Sequence, residues 1–237
     1  MLGQTLFELI PAHFLLLAKK PAKAHYMLEL IDFRKSYGSD FHLEIGDLNL
    51  EAGIHLILGE NGSGKSTLLK AVAGIHPFEG EIVLSGVSIS KDPLEYRKLI
   101  GFAEAEPLFP DFLSLEDLIQ VVVKAKSSSP TQVEDLKETL KIGDFSKQAI
   151  GSYSSGMLKK SALLLAFIGD PKLIILDEAF TTLDVGTQQS LTRLIERKSK
   201  EGTSFLLTSH QNEPITAFDF SSTISLNQGR IIEHEGA

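Results

Sequence analysis

The segment GENGSGKST, from Gly59 to Thr67, constrains the fold of this chain more than any other. It fits the pattern G-x-x-x-x-G-K-[ST], in which glycines let the backbone turn tightly and bring its N–H groups to phosphate oxygens. The apolar run IHLIL precedes this loop, and the helical pattern KSTLLKAVAG follows it. A strand, a phosphate-binding loop and a helix are therefore predicted in that order, which is typical of an α/β protein.

The residues of this loop have separate expected roles. Lys65 supplies a point charge for the terminal phosphates, and the hydroxyl of Ser66 can ligate Mg²⁺. The motif predicts a nucleoside triphosphate as the ligand but does not say how its energy is used. The candidate nucleotide-binding residues of the loop are Gly59, Asn61, Gly62, Ser63, Gly64, Lys65, Ser66 and Thr67.

Two adjacent carboxylates end a second apolar run, LIILDE, far downstream of the loop. Asp177 is placed to hold Mg²⁺, usually through water, and Glu178 to orient and deprotonate an attacking water. Two acids directly after four aliphatic residues, in a chain with a phosphate loop, favour a catalytic role over a solvated strand end.

One histidine is a third candidate. His210 follows the apolar run FLLT, at the carboxyl end of a predicted parallel strand, where α/β sheets place their ligands. We therefore interpret it as a catalytic candidate. The other histidines show no spacing typical of metal ligands and are interpreted as scattered surface or core residues.

Strand-like and helical runs alternate from Met27 onward. The early runs LELIDF and FHLEIGDLNLEA alternate with period two, whereas later runs such as LIIL are apolar throughout, as in parallel sheets covered on both faces. Between about residues 107 and 170 the patterns are mainly helical. The prediction is an α/β fold: a P-loop NTPase core with a mostly parallel sheet, an N-terminal antiparallel β layer and an inserted helical subdomain.

Composition excludes several functions. The chain has 237 residues with a formal net charge of -8 and a sequence pI of about 5.4, which argues against an unspecific nucleic-acid or membrane-lipid binder. No nucleic-acid partner is therefore expected. The absence of cysteine excludes disulfides and suits a reducing cytosol.

Residues 1–26 precede the domain predicted over 27–237. The run LFELIPAHFLLLAKKPAK is interrupted by Glu8, Pro11 and His13, and its positive charges follow the apolar part. A secretory signal has the reverse order, so we interpret these residues as an extension of unknown role. A short helix that binds a membrane surface or a partner is the alternative.

These motifs, in this order, resemble the ATP-binding-cassette (ABC) family, specifically the ATPase subunit of a transporter, over about residues 28–235. SYSSGM lies where the family has its signature, L-S-G-G-Q, and KKSALLLAFIGDPKLIILDE matches the run that follows. Tyr37 resembles the aromatic residue that stacks on adenine, and Asp184, which ends TTLD, resembles the D-loop. His210 resembles the switch histidine near the γ-phosphate.

The chain departs from the family pattern in two places. In the signature, Ser155 replaces the first glycine and Met157 the final glutamine; a Gly-Met ending is familiar among exporter-type ATPases. The Q-loop region IGFAEAEPLFPD has no glutamine, and counting from its two ends places either Ala105 or Glu104 at that position. The carboxylate of Glu104 would still coordinate Mg²⁺ through water.

The resemblance implies a mechanism in which two subunits face each other head to tail with two ATPs between them. Ser154, Ser155 and Gly156 would contact the nucleotide bound by the facing subunit. Hydrolysis of ATP with Mg²⁺ would then drive transmembrane permease subunits on separate chains, from a cytoplasmic position at the inner face of the membrane.

Two functions other than transport also fit the sequence. A soluble ABC-type ATPase acting on ribosomes or DNA usually has paired cassettes, long insertions or basic arms, whereas this chain has one cassette and an acidic balance. The altered signature and Q-loop would also suit a regulatory subunit with weak catalysis. The cargo and the direction of transport are not encoded in these motifs.

Overall fold

The computed structural model describes residues 26–38, 41–209 and 217–236. These residues form ten strands in two sheets. His210 and the N-terminal extension up to residue 25 lie outside these ranges. The predicted combination of an antiparallel β layer with a mostly parallel sheet is confirmed.

The first sheet is antiparallel and has the strand order β2-β1-β4-β5. A bulge in β1 places Asp32 at a positive φ of 49°, so that Leu30 and Phe33 both point into the core although they are three positions apart. The strands are β1 Leu28–Tyr37, β2 Phe41–Leu50, β4 Glu79–Leu84 and β5 Val87–Ser88.

The second sheet has the order β10-β9-β3-β8-β7-β6, and all its pairs are parallel except β9 with β10. These two strands form a hairpin that turns at Gln228 and Gly229, both with positive φ. The strands are β3 Ile54–Leu58, β6 Ile100–Ala103, β7 Leu173–Leu176, β8 Ser204–Ser209, β9 Ser222–Asn227 and β10 Arg230–Glu235.

Six α-helices surround the sheets in the described ranges: α1 Lys65–Val72, α2 Pro93–Lys98, α3 Leu115–Lys126, α4 Pro130–Thr139, α5 Ser155–Phe167 and α6 Val185–Lys200. Helices α3 to α5 lie between residues 107 and 170, and their separation as a subdomain stays a prediction. Over the described residues, no helix is both long and apolar enough to cross a bilayer.

The sequence patterns did not predict α2 or β6. Strand β6 has four residues, one of them Gly101, and glycine weakens a strand signal. A Cβ at Gly101 would lie 1.9 Å from the carbonyl oxygen of Ala166, so this glycine lets α5 pack directly on β6. The strand is therefore stabilised by a tertiary contact that no local pattern reveals.

The buried hydrophobic side chains form two clusters, and β7 contributes to both. All four of its residues are buried: Ile174 and Leu176 pack in the cluster with helices α3 to α6, and Leu173 and Ile175 pack on the antiparallel sheet and α1. Each such side chain contributes roughly 1.5–3 kcal/mol by leaving water. Burial on both faces explains the uninterrupted apolar run, and it holds the carboxyl ends of β3, β7 and β8 at one edge of the sheet.

Candidate nucleotide site

A cavity of about 300 Å³ lies at this edge of the sheet. This volume is at the lower end of the range for small-molecule sites. Except for Glu60, every lining residue was predicted from the sequence to belong to the site. The lining consists of Tyr37, Glu60, Asn61, Gly62, Gly64, Lys65, Ser66, Thr67 and Glu178.

The glycines of the loop serve different purposes. Gly62 has a φ of 80°, and a Cβ there would meet nothing within 4 Å, so its backbone borders open space that a ligand can enter. Gly59 does not line the cavity: a Cβ there would lie 2.5 Å from both the carbonyl oxygen of Leu226 and the Oγ of Ser63. The Ser63 hydroxyl, buried without a hydrogen-bond partner in the described structure, also lies outside the lining.

Lys65 supplies the positive charge of the cavity. It is the first residue of α1, is 5% exposed, and its Nζ donates to the carbonyl oxygens of Gly59 at 2.7 Å and Glu60 at 3.2 Å. Burial lowers its pKa, and the carboxylates of Glu178 and Asp177 partly offset this effect. An ammonium held by neutral carbonyls at a helix N-terminus still attracts an anion, so the cavity fits a triphosphate.

The two carboxylates after β7 occupy different environments. Asp177 is 1% exposed, whereas Glu178 is half-buried and lines the cavity. The backbone separates them because Glu178 has a φ of 46°, a left-handed conformation that costs a non-glycine residue of order 1–3 kcal/mol. Of the two carboxylates at this strained turn, Asp177 is therefore buried outside the cavity lining and Glu178 is part of it.

Thr208 holds this turn, and sequence reasoning missed it. Its hydroxyl donates to Oδ1 of Asp177 at 2.7 Å and accepts from the backbone N–H of Glu178 at 2.9 Å. The contact arises because β7 and β8 are parallel neighbours, with Leu176 paired to Leu207. The sequence signal that could have revealed this role is a threonine directly after the apolar residues Phe205, Leu206 and Leu207.

The residues predicted to bind Mg²⁺ are only partly brought together. Ser66 lines the cavity, and Asp177 is buried outside its lining. The carboxylate of Glu104 is 3.4 Å from Nζ of Lys70 and does not line the cavity. In the described part of the chain, no three His, Asp or Glu side chains form a metal site by themselves. The role of Glu104 stays a prediction.

The signature segment lies apart from the cavity. Ser154 caps α5, its hydroxyl accepting from the backbone N–H of Met157 at 3.3 Å. Ser154 and Ser155 are exposed, and neither they nor Gly156 line the cavity. A Cβ at Gly156 would lie 3.4 Å from the carbonyl oxygen of Thr182, so the signature packs against the D-loop of the same chain.

Asp184 also lies outside the cavity lining. It caps α6 by accepting from the backbone N–H of Thr187 at 2.9 Å, and Lys160 of α5 lies 3.3 Å from its carboxylate. The hydrogen bonds from Thr187, followed by Lys160, hold the pKa of this carboxyl well below its usual range. In this structure Asp184 joins the D-loop to the signature helix.

Lys159 was not singled out by any sequence pattern. It lies in α5, is 1% exposed, and its Nζ donates to the carbonyl oxygens of Ala105 at 2.6 Å, Glu104 at 3.2 Å and Asp177 at 3.4 Å. Burial lowers its pKa, and the carboxylates of Asp177 and Glu178 partly offset this effect. A single ammonium thus joins the signature helix, the segment after β6 and the end of β7.

Comparison with known proteins places the chain in a family. Residues 45–181 match the family model described as ABC transporter. Since this match covers more than half of the chain, the protein belongs to the ABC transporter family, as a nucleotide-binding domain.

The names of the relatives give different substrates, or none. The chain is 31% identical over 186 residues to the lantibiotic transport ATP-binding protein SrtF of Streptococcus pyogenes, covering 78% of this chain and 80% of that one. It is 32% identical over 200 residues to the molybdate/tungstate import ATP-binding protein WtpC of Thermococcus kodakarensis, covering 82% and 60%. The ATP-binding protein NatA of Bacillus subtilis is 30% identical over 182 residues, with 74% of each chain covered.

Solved structures share the fold. An ATP-binding subunit of an ABC transporter superposes with a TM-score of 0.79 at 23% identity, over 89% of this chain and 90% of that chain. A dimeric ATP-binding cassette in a post-hydrolysis state, bound to ADP and Pi, superposes with a TM-score of 0.75 at 20% identity, over 89% and 98%.

Proposed function

We propose that this chain hydrolyses ATP to ADP and phosphate and thereby powers transport of a substrate across a membrane through separate transmembrane subunits. The observation that carries the proposal is the cavity in which Lys65, Ser66 and Glu178 line one space. These residues supply, respectively, a charge for the phosphates, a hydroxyl for a metal and a base for water.

In the proposed reaction, Glu178 accepts a proton from water while the water oxygen bonds to the γ-phosphorus. The bond from that phosphorus to the bridging oxygen breaks, and ADP leaves with the electron pair. Bound Mg²⁺, held by Ser66, Asp177 and in our proposal Glu104, would neutralise charge on the phosphates. Lys65 and the N–H groups of the loop hold the phosphates in place, and His210 is proposed to contact the γ-phosphate.

The position of the signature supports an assembly of two subunits. The start of α5 exposes Ser154 and Ser155 away from the cavity of its own chain. It has the partial positive charge of a helix N-terminus, so it suits the phosphates of a nucleotide bound by a facing subunit. In this arrangement ATP joins the two subunits, and hydrolysis releases them.

The variant Ser155→Asp tests this arrangement. An acid in the first turn favours helix formation, so α5 should stay folded, but its charge repels a facing triphosphate. We expect ATP affinity of the single subunit to change by less than about twofold and the rate of phosphate release to fall at least about tenfold. Isothermal titration and a phosphate-release assay measure the two quantities, with Ser155→Asn as the uncharged control.

Mixing variants gives a stricter test. Lys65→Ala retains an intact signature, and Ser155→Asp retains an intact phosphate loop, so a mixed dimer contains one complete composite site. We expect the mixture to release phosphate faster than either variant alone. An inactive mixture of two folded variants, or an active Ser155→Asp subunit, would argue against head-to-tail assembly.

An exposed apolar segment supports a docking site for a transmembrane subunit. Leu108 and Phe112 are 91% and 83% exposed in the segment 104–113, where an apolar helix end of a membrane subunit would cover them. Two contacts connect the segment to the signature region. Lys159 binds the carbonyl oxygens at its start, and the backbone N–H of Gly151, just before the signature, donates to the carbonyl oxygen of Asp111 at 3.0 Å.

The relatives support the other parts of the proposal. The Streptococcus relative, 80% of which is matched, is named a transport ATP-binding protein, which favours membrane subunits on separate chains. We accordingly propose a cytoplasmic position at the inner face of the membrane. The Gly156–Met157 ending of the signature favours an exporter.

Charged substitutions in the exposed segment should detach the protein from its membrane partner. For the double variant Leu108→Asp, Phe112→Asp, we expect the fraction that sediments with membranes to fall several-fold, because charge cannot be buried in an apolar contact. Phosphate release by the isolated chain should not change. Leu94→Asp is the matched control, since Leu94 is 74% exposed on α2. Unchanged sedimentation of the double variant would reject this docking site.

A further inference from the structure

We propose that His76 is a positioning residue that holds the Tyr37 ring as a stacking platform for the base of a nucleotide, so that adenine and guanine bind alike through the ring face and not through hydrogen bonds to the base edge. This inference rests on the proposed nucleotide function. It deepens that function by assigning the placement of the base platform to a contact between the end of β1 and the segment after α1.

Two contacts connect these side chains. The phenol oxygen of Tyr37 lies 2.7 Å from Nδ1 of His76, and the two rings meet edge to face with centroids 6.1 Å apart and planes at 80°. Tyr37 is the last residue of β1 and is 44% exposed. A ring with that exposure at a strand end would lose rotamer freedom when a ligand stacks on it, and a ring already held in place avoids part of that cost.

His76 is itself fixed to the helix that begins at the phosphate loop. The backbone N–H groups of Ile75 and His76 both donate to the carbonyl oxygen of Lys70, at 2.9 Å and 3.2 Å, just beyond the end of α1. Since α1 begins at Lys65, the phosphate-binding ammonium and the imidazole are attached to opposite ends of the same helix. Tyr37 belongs to the antiparallel sheet, so its bond to His76 connects the base platform to the helix of the phosphate site.

Burial and nearby charges favour the neutral form of His76. Burial, followed by the positive charges of Lys70 and Lys35, lowers the pKa of His76, and Glu104 partly offsets this effect. A lowered pKa favours the neutral imidazole, whose tautomer sets whether Nδ1 or the Tyr37 phenol donates in their shared hydrogen bond. In either tautomer the phenol is bonded to His76, and the base would stack on the face of the ring.

Lys35 adds a second restraint on the ring. Its Nζ lies 4.6 Å from the centroid of the Tyr37 ring, within the range of a cation–π contact.

Stacking on an aromatic ring is tolerant of base identity because every base has a π-face. We therefore expect adenine and guanine nucleotides to gain similarly from this platform, and a triphosphate without a base to gain nothing.

The experiment compares MgATP, MgGTP and inorganic tripolyphosphate by isothermal titration against the full chain and its variants. His76→Phe retains a ring but has no acceptor, and we expect it to weaken ATP and GTP binding by about threefold to tenfold. His76→Gln retains an acceptor and should recover most of the affinity. Tyr37→Ala should weaken both nucleotides more, by at least about fivefold. Tripolyphosphate binding should be unchanged in every variant.

Three outcomes would overturn the inference. Nucleotide binding by His76→Phe equal to that of the wild type would show that the contact has no role. If His76→Phe lost tripolyphosphate binding to the same extent as nucleotide binding, His76 would act through the folding of α1. If this variant still bound ATP but lost GTP binding, the site would recognise the base edge. If the wild type bound neither nucleotide nor tripolyphosphate, the proposed nucleotide function itself would fail, and this inference with it.

Discussion

Replacing Glu178 with glutamine is expected to slow phosphate release from MgATP by about 10²- to 10⁴-fold, the usual contribution of a general base. The amide has nearly the same shape but cannot accept the proton of the attacking water. The strained turn should persist, because Thr208 binds the backbone of Glu178 and not its side chain. ATP binding should therefore be retained, and light scattering with saturating MgATP should detect an accumulated dimer.

The control for this variant is Glu196→Gln, the same chemical change at an exposed position of α6. It should hydrolyse ATP at the wild-type rate. Substantial hydrolysis by Glu178→Gln would remove Glu178 from the role of base. A variant that binds ATP but stays monomeric would count against assembly of two copies of this chain.

Replacing Lys65 with alanine is expected to weaken MgATP binding by at least about tenfold, since hydrogen bonds to charged groups contribute roughly 1.5–3 kcal/mol and tenfold corresponds to about 1.4 kcal/mol. The buried ammonium provides the positive side-chain charge among the residues that line the described cavity. Titration calorimetry measures the loss, and a melting curve shows that the fold is retained.

Lys124→Ala is the matched control for this second variant, because Lys124 is exposed on α3. It removes the same charge from the chain and should leave ATP affinity unchanged. If Lys65→Ala bound ATP as tightly as the wild type, the assignment of Gly59–Thr67 as the phosphate site would be wrong. Equal losses in both variants would indicate an effect of net charge alone.

Most of the site could be predicted from local patterns in the sequence. Lys65 and Ser66 follow from a loop motif whose geometry depends on glycines within the motif itself, and Asp177 and Glu178 follow from acids that end an apolar strand. Parallel strands bring their carboxyl ends to one edge, so a strand prediction already implies that these residues meet. Strand β6 and helix α2 were missed because their runs are short and tertiary contacts stabilise them.

The residues that hold the site in place could not be found in this way. Thr208, Lys159 and His76 each act through a contact with a segment distant in sequence, and none has a local pattern that marks its role. The same limit applies to Glu178, whose left-handed backbone separates it from Asp177. A strand-end motif gives the order of the two acids but not their directions.

The sequence by itself determined the α/β class, the phosphate loop and the family resemblance, because hydrophobic periodicity and glycine spacing act over a few neighbouring residues. Only the tertiary structure decided which side chains line the cavity and which support it from outside. Ser154 and Ser155 illustrate the difference: the family resemblance assigns them to a nucleotide contact, and the fold exposes them at the start of α5, outside the cavity of their own chain. Contacts between distant segments, which depend on packing of the whole domain, determine that placement.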